Sequence, residues 1–452
     1  MTPPPPATAA ADMMRPGAVP QDSQINVDVL AVTKGASWPW FALLALALLG
    51  VGQAAAVLAY QTYEGLGVAG YQAPVFWGVY IITFVFWIGI GHAGTLISAI
   101  LFLFRAQWRN AINRAAEAMT VFAVLTAALF PLIHIGRLWK FYFLLPYPNW
   151  VNFKSPLLWD VFAVNTYMTI SIIFFYVGLI PDIAIARDRS TGIRKFAYTI
   201  LSLGWQGRSG QWKAHNRTVL HLSGLATPLV LSVHSVVSWD FAMSIVPGWH
   251  ATIFAPYFVA GAVFGGFAMV MVVLIPVRRI YGLEEYITDY HFENMSRFIL
   301  FTSLICGYAY VMEYFIAWYS AVEFEQTSFY LRAFGPYWFS TWCMIIFNTV
   351  LPQLLWFKRL RTSPPFLFIL CWFINVGMWF ERYVIIITSL SREYISGAWG
   401  LYIPSAVELS VLAGSFCWFS MFFLLFLKVF PVIAIAEMKE LSIHEKAHGG
   451  AH

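Results

Sequence analysis

Ten long apolar runs constrain the fold of this chain more than any other feature. Each is long enough to cross about 30 Å of hydrocarbon as a helix. They lie near residues 39–60, 73–104, 114–136, 157–180, 217–239, 251–277, 298–321, 335–357, 364–390 and 405–433. None of them alternates apolar and polar residues as the strands of a membrane barrel do. The sequence therefore predicts an all-α polytopic membrane protein with ten transmembrane helices.

The composition excludes several other classes of protein. Of the 452 residues, 60% are hydrophobic and 11% are charged, whereas soluble domains contain roughly 25% charged residues. So few charges cannot cover a water-facing surface, which excludes a soluble enzyme and a nucleic-acid-binding protein. The four cysteines lack the close spacing of metal or cluster ligands, so we expect no metal site. The Pro- and Ala-rich residues 1–38 are expected to form a disordered tail.

Basic residues in the loops predict the orientation in the membrane. Of the 27 Lys and Arg residues, 21 lie in the termini and loops of one side, 5 lie in the loops of the other side, and Arg382 lies inside a run. Cytoplasmic loops carry an excess of Lys and Arg, so we call the basic side the inner side and expect both termini to be cytoplasmic. The inner loop 181–217 would form either an amphipathic surface helix or a plain basic connector.

Ionisable residues inside the runs indicate a functional site, because a charge in hydrocarbon costs roughly 2.5–3.5 kcal/mol on insertion scales. At a rise of about 1.5 Å per residue, six runs place such groups in the outer third of the membrane. These groups are His134, Arg137, Asp160, His234, Asp240, Glu313, Glu381, Arg382 and Glu408. The inner half has fewer, namely His92, Glu117 and His221. This asymmetry predicts a polar pocket near the outer face.

Such a pocket suits a quinol, which loses two protons as two electrons leave and keeps its isoprenoid tail in lipid. His134 beside Asp160 or Asp240 would accept protons near neutral pH, and Arg382 would stabilise a charged carboxylate or polarise a quinone carbonyl. Each group could instead make a packing hydrogen bond, and Asp160 could cap its helix. A proton- or ion-translocating transporter subunit and a structural membrane anchor remain alternatives.

Two histidines leave a haem-binding protein as a further alternative. His221 and His234 lie thirteen residues apart in one run, as haem ligands do in cytochrome b-type bundles. No other run has such a pair, since His92 and His134 each stand alone. Ligation by two histidines would therefore need one ligand from each of two helices.

Five segments carry a resemblance to a known family. They are FWIGIGHAGTLISAILFLFR (86–105), FPLIHIGRLWKFYF (130–143), PNWVNFKSPLLWD (148–160), HSVVSWDFAMSIVPGWHATIFAPYFVAGAVFGGFAMV (234–270) and MWFERYVII (378–386). The chain resembles the NrfD/PsrC-like membrane subunits of polysulfide-reductase-type complexes, most closely the ActC subunits of bacterial alternative complex III. Segment 234–270 is the most specific of the five.

The resemblance implies an architecture and a set of partners. It implies a multi-pass protein of the bacterial inner membrane that oxidises quinol, with menaquinol as a candidate, and has no redox centre of its own. Electrons would pass to a periplasmic iron–sulfur subunit and then to haem c subunits, beside other membrane subunits. The implied units are a first four-helix bundle at 73–239, a second at 251–390, peripheral helices at 39–62 and 405–433, and a C-terminal tail at 434–452.

The resemblance also implies roles for individual residues. The quinol site would comprise His134, Asp160, Asp240 and Arg382. Weaker candidates for the same site are Arg137 and Glu313. A proton route from the inner side would begin at His92, Glu117 and His221.

Overall fold

The computed structural model describes residues 22–145, 147, 151–249, 251–392 and 394–449. Ten helices in this part of the chain are long and apolar enough to cross a membrane, which confirms the ten predicted spans. They are α2 (Trp38–Glu64), α3 (Val79–Leu103), α4 (Asn113–His134), α5 (Pro156–Asp188), α7 (Ser209–Ala242), α8 (Phe254–Tyr281), α9 (Asp289–Tyr319), α11 (Trp338–Trp356), α12 (Pro364–Thr388) and α13 (Ala406–Val429).

Shorter helices flank or connect the spans. They are α1 (Asp22–Ala31), α6 (Gly192–Leu201), α10 (Glu323–Phe334) and α14 (Ile435–Gly449). Helix α6 lies in the long inner loop and is amphipathic, because Ile193, Phe196 and Ile200 recur at helical spacing on an exposed face. Of the two alternatives predicted for this loop, the structure therefore shows the amphipathic surface helix.

Helix α1 corrects the expectation that residues 1–38 are disordered throughout. Its side chains Ile25, Val29 and Leu30 are spaced on one helical face and are buried, and α1 packs against α14. The segment is short and partly polar, so it is stable as a helix only when packed against distant parts of the chain, which local composition does not reveal. Residues 1–21 and 450–452 of the two predicted tails lie outside the described residues.

The spans pack as two groups of four. Helices α3, α4, α5 and α7 form one closed group and α8, α9, α11 and α12 form the other, each helix contacting its two neighbours. Helices α2 and α13 pack against each other at the edge of the molecule. Helix α13 is joined to the first group of four by a hydrogen bond from Trp87 Nε1 of α3 to Ser415 Oγ (3.0 Å). This arrangement leaves α3 and α8 in the centre of the molecule.

Small residues allow α3 and α8 to approach closely. A Cβ atom added to Gly266 of α8 would lie 2.5 Å from Cβ of Ala93 in α3, and one added to Gly89 of α3 would contact Ala262 of α8 and the ring of His234. Close contact of this kind stabilises helix pairs in membranes, where lipid competes equally for apolar surface. The crossing therefore holds the two groups of four together and positions His234 at their interface.

Candidate functional site

Two aspartates meet near the outer ends of α5 and α7. Helix α5 begins at Pro156, which fits the first turn without losing a hydrogen bond, and Asp160 follows one turn later. Asp160 and Asp240 are 4% and 7% exposed, and their carboxyl groups are close enough to interact electrostatically. Asp160 does not cap its helix, since both of its carboxyl oxygens lack a hydrogen-bond partner among the described residues.

The free oxygen atoms make this carboxylate pair unusual. Oδ1 of Asp240, like both oxygens of Asp160, accepts no hydrogen bond from any other described residue, so the two carboxyl groups have only each other as neighbours in hydrogen bonding. Buried polar atoms in folded proteins nearly always have one, and a buried charge without a partner is costly. The pair therefore offers hydrogen-bond acceptors that a donor-bearing ligand could satisfy.

Two histidines lie deeper in the same group of helices. The rings of His92 (α3) and His234 (α7) have centroids 4.5 Å apart, and both are buried. Nδ1–H of His92 donates to the carbonyl of Ile88 (2.7 Å), which leaves its Nε2 as an acceptor. Nε2 of His92 and both ring nitrogens of His234 lack partners in the described structure, so the pair can accept or relay a proton.

Arg382 belongs to a polar cluster in the second group of four helices. Its Nη1 lies 2.6 Å from Oε1 of the adjacent Glu381. The hydroxyl of Tyr310 donates to the other oxygen of Glu381, and Asn348 Nδ2 donates to the same hydroxyl (3.0 Å). Helix α12 widens into a π-type turn at Val384–Thr388 immediately afterwards, a feature that is frequent at functional sites.

Phe258 of α8 lies between this cluster and the histidine pair. The guanidinium carbon of Arg382 is 4.3 Å from the centre of the Phe258 ring, and the centroids of the Phe258 and His234 rings are 5.8 Å apart. The cation is therefore stabilised by an aromatic face on the side that leads to the histidines. Polar groups from both groups of four helices thus converge around α8.

His134 lies in a separate polar group at the outer end of α4. Its Nδ1 is 3.5 Å from the hydroxyl of Tyr71, and no hydrogen bond or ion pair among the described residues joins it to Asp160 or Asp240. The ring of Tyr71 stacks on Tyr402 with centroids 6.3 Å apart. The sequence predicted that His134 and the aspartates lie at the same depth in the membrane. In the structure, the helices are turned so that these residues face different neighbours.

Glu408 anchors this outer group. Its Oε1 accepts from the hydroxyl of Tyr402 (2.5 Å) and its Oε2 accepts from the backbone N–H of Gly70 (2.8 Å). Burial, followed by the charge of Glu408, raises the pKa of Tyr71 and of Tyr402 above that of an ordinary phenol. Both phenols therefore stay protonated and act as hydrogen-bond donors. This network ties the 65–78 loop to the start of α13.

The weaker candidates occupy different environments. Arg137 is exposed and lies over the ring of Trp139 (5.6 Å). Glu313 is 3.5 Å from Nη1 of Arg332, and Arg332 also donates through Nε to the hydroxyl of Thr388 (2.9 Å). Glu313 is thus part of an ion pair that ties α9 to α10 and α12.

The inner side of the first group contains a buried ion cluster. Nη1 of Arg114 donates to Glu117 (2.7 Å), and Nη2 donates to Asp182 (3.1 Å). Asp182 also accepts the backbone N–H of Ala436 (3.0 Å), and Glu437 pairs with Arg109 (3.2 Å). Helix α14 thus closes the inner end of this cluster.

A cavity of about 230 Å³ adjoins the cluster on the inner side, with Arg109, Asn113, Glu117, His215 and Glu437 in its wall. A second cavity of about 10 Å³ lies beyond Glu117, against Tyr167, and offers about the space that one water needs. Polar groups continue outward from there.

Those further groups lead to the histidine pair. The hydroxyls of Tyr167 and Thr95 are 2.8 Å apart, and the ring of Tyr167 is 5.1 Å from that of His92. Cavities and hydroxyls therefore extend from the inner side through Glu117 to His92.

His221 does not join this arrangement. Its side chain is exposed, and its Nδ1–H donates to the carbonyl of Arg217 (2.7 Å) in its own helix. His234 lies on a buried face of the same helix, so the two histidines do not face a common interior as a pair of haem ligands on one helix would.

Sequence reasoning missed several members of these groups. His234 was noted for its depth and its spacing but not assigned to the site, and Tyr71, Tyr167 and Tyr310 carried no signal because the chain contains 22 tyrosines. Their roles follow from contacts between helices that are distant in sequence.

Comparison with known proteins gives a family match over most of the chain. The family model described as "Polysulphide reductase, NrfD" matches residues 67–392. A putative membrane subunit of a dimethyl sulfoxide reductase from Halobacterium salinarum is 29% identical over 239 residues, which is 52% of this chain and 51% of the relative. This chain therefore spans about half the length of that relative.

Two further relatives are more distant. A subunit of the selenate reductase from Mesobacillus selenatarsenatis is 21% identical over 290 residues, covering 62% of this chain and 66% of the relative. An Hdr-like menaquinol oxidoreductase integral membrane subunit from Archaeoglobus fulgidus is 21% identical over 328 residues, covering 71% of each chain.

Proposed function

Because this chain belongs to the polysulphide reductase NrfD family, we propose that it is a quinol-oxidising membrane subunit of an alternative complex III. The observation that carries the proposal is the buried Asp160–Asp240 pair, in which both oxygens of Asp160 and Oδ1 of Asp240 accept no hydrogen bond from a donor among the described residues. A quinol supplies hydroxyl donors for such acceptors, and its oxidation releases the two protons that they would take up. The name of the Archaeoglobus fulgidus relative supports menaquinol as the substrate.

The reaction releases two protons and two electrons from each quinol and leaves a quinone. Asp160 and Asp240 accept hydrogen bonds from the quinol and take its protons, and the phenol-linked His134 provides a second acceptor near the outer face. Arg382 stabilises the negative charge that develops around α8. Arg137 and Glu313 have supporting roles, because the contacts described for them are with neighbouring protein groups.

The electrons leave the chain for a partner on the outer side. We place the protein in a bacterial inner membrane with both termini in the cytoplasm, so that a periplasmic iron–sulfur subunit receives the electrons and passes them to haem c subunits. Other membrane subunits complete the complex. The chain itself supplies a binding site and proton acceptors.

A proton route is the second part of the proposal. Protons enter from the inner side through the cavity beside Glu117 and move by way of Tyr167 to His92 and His234. This sequence of groups is supported by the two cavities and by the 4.5 Å separation of the histidine rings. His221 contributes only at the surface, given its exposed position.

The quinol site is tested by removing its carboxylates. We expect Asp160→Asn and Asp240→Asn each to lower quinol oxidation by at least about 100-fold, since general acid–base groups contribute roughly 10²–10⁴-fold. Glu323→Gln, an equal change of charge at an exposed outer position, should leave the rate unchanged. The measurement is the rate of quinol oxidation by the purified complex, whose assembly is checked by gel electrophoresis.

The outcome also separates the alternatives. Full quinol turnover in both aspartate variants would remove the site assignment. If the wild-type complex neither oxidises quinol nor responds to quinol analogues, the chain is a transporter subunit or an anchor instead.

A further inference from the structure

A groove on the outside of the first group of four helices runs between α5 and α7. Its volume is about 340 Å³, and its walls include Trp159, Ala163, Ser232 and Val236. Most of the lining is apolar, and Ser232 is exposed. In a bilayer, such a groove opens toward the lipid chains.

The groove follows the helix faces that carry the two aspartates. Ala163 lies three residues after Asp160, and Val236 lies four residues before Asp240. Residues three or four apart share one face of a helix. The groove therefore adjoins the buried carboxylate pair, whose two aspartates lie at its outer end and outside its lining.

Two tryptophans mark that outer end. Trp159 and Trp239 directly precede Asp160 and Asp240, and their rings meet edge to face with centroids 6.0 Å apart. Trp159 is fixed by donating from Nε1 to the carbonyl of Phe153 (2.9 Å). From Trp159 to Thr166, the groove extends inward by about 10 Å at 1.5 Å per residue.

These observations define the occupant by its chemistry. Its polar end must donate hydrogen bonds to the unpartnered carboxyl oxygens, and the rest must be long and apolar to lie along the groove. Ions and hydrophilic solutes fit the first requirement only, and an ordinary acyl chain fits the second only. We propose that the groove between α5 and α7 binds the prenyl tail of the quinol and is its entrance from the membrane, an inference that rests on the proposed function.

A second groove, of about 240 Å³, lies between α2, α4 and α13. Gln61, outside its lining, donates to the carbonyl of the lining residue Ile133 (3.1 Å) and accepts from Tyr80. Among the described residues of its lining, the polar atom without a partner is Nε1 of Trp418, and an N–H donor cannot take a proton from a quinol. The hydrogen-bond acceptors of Asp160 and Asp240 therefore favour the α5–α7 groove as the binding site of the quinol tail.

A matched pair of substitutions tests the entrance. Ser232 lies in the groove and Ser235 lies outside its lining on the same helix, and each hydroxyl donates to a carbonyl of its own helix (3.1 and 2.8 Å). Ser232→Phe would fill the groove, whereas Ser235→Phe adds the same bulk beside it. The purified complex is assayed in proteoliposomes with a long-chain menaquinol and with menadiol, which has no prenyl tail.

We expect Ser232→Phe to lower kcat/KM for the long-chain menaquinol by about tenfold relative to Ser235→Phe, equal to about 1.4 kcal/mol. Oxidation of menadiol should be the same in both variants, which also shows that the complex is assembled. Equal effects on the two substrates, or no difference between the variants, would contradict the proposal that the quinol enters through this groove. If the wild type oxidises neither quinol, the proposed function itself fails.

Discussion

Glu117 lies near the inner end of α4, between a polar cavity and the buried hydroxyl of Tyr167. Arg114 donates to it at 2.7 Å, so its position is fixed from one side while the other side faces a space for about one water. A carboxyl group in this position can carry a proton between the cavity and the hydroxyls beyond. A glutamine has a similar shape but no carboxyl group, so it cannot carry this proton.

We therefore expect Glu117→Gln to reduce the number of protons moved per electron by at least half while quinol oxidation keeps most of its rate. Both are measured in proteoliposomes with a pH-sensitive dye and a quinol assay. Glu284→Gln, at an exposed position of an inner loop away from this cavity, serves as the control and should change neither. A parallel loss of proton movement and quinol oxidation in Glu117→Gln would argue against a separate route.

At the scale of single elements, the C-terminal helix α14 covers the inner end of the first group of four helices. The N–H of Ala436 donates to buried Asp182, and Glu437 pairs with Arg109. Ending the chain after Ile435 removes both contacts and leaves an acceptor of Asp182 without its partner, at a cost of roughly 1–3 kcal/mol.

We expect this truncation to lower the melting temperature of the purified complex by several degrees. Ending the chain after Gly449 instead keeps α14 whole and should leave the melting temperature unchanged. Thermal unfolding followed by tryptophan fluorescence distinguishes the two forms. Identical melting curves would mean that α14 adds nothing to stability.

At the scale of the whole molecule, the contact between α3 and α8 joins the two groups of four helices. A Cβ at Gly266 would lie 2.5 Å from Ala93 Cβ and 3.0 Å from Ala93 N, so backbone would have to move. A Cβ at Gly224 of α7 would meet nothing within 4 Å. The two glycines thus differ in packing alone.

Gly266→Ala should destabilise the complex by about 1–3 kcal/mol, as other overpacked cores do. Gly224→Ala should be neutral or slightly stabilising, because alanine favours a helix over glycine by about 1 kcal/mol. The comparison is made by thermal unfolding of the purified variants. Equal stability of the two would show that the central crossing tolerates expansion.

The ten spans and the polar residues within them could be predicted from the amino-acid sequence. Apolar length, the cost of burying a charge and helix-end residues are local properties, so they can be read along the chain without knowing its neighbours. The same reasoning identified Asp160, Asp240, Glu117 and Arg382 as residues that need an explanation. It gave their depth, because depth follows from the rise per residue.

Which of these groups lie beside one another could not be predicted from the sequence and follows from the folded structure. Asp160 faces Asp240, while His134 lies beside Tyr71, and His92 contacts His234 rather than His221. These pairings depend on the rotation of each helix and on close contacts such as that at Gly266, which join residues far apart in the chain. Helix rotation is fixed by packing between helices, and packing is a property of the folded whole.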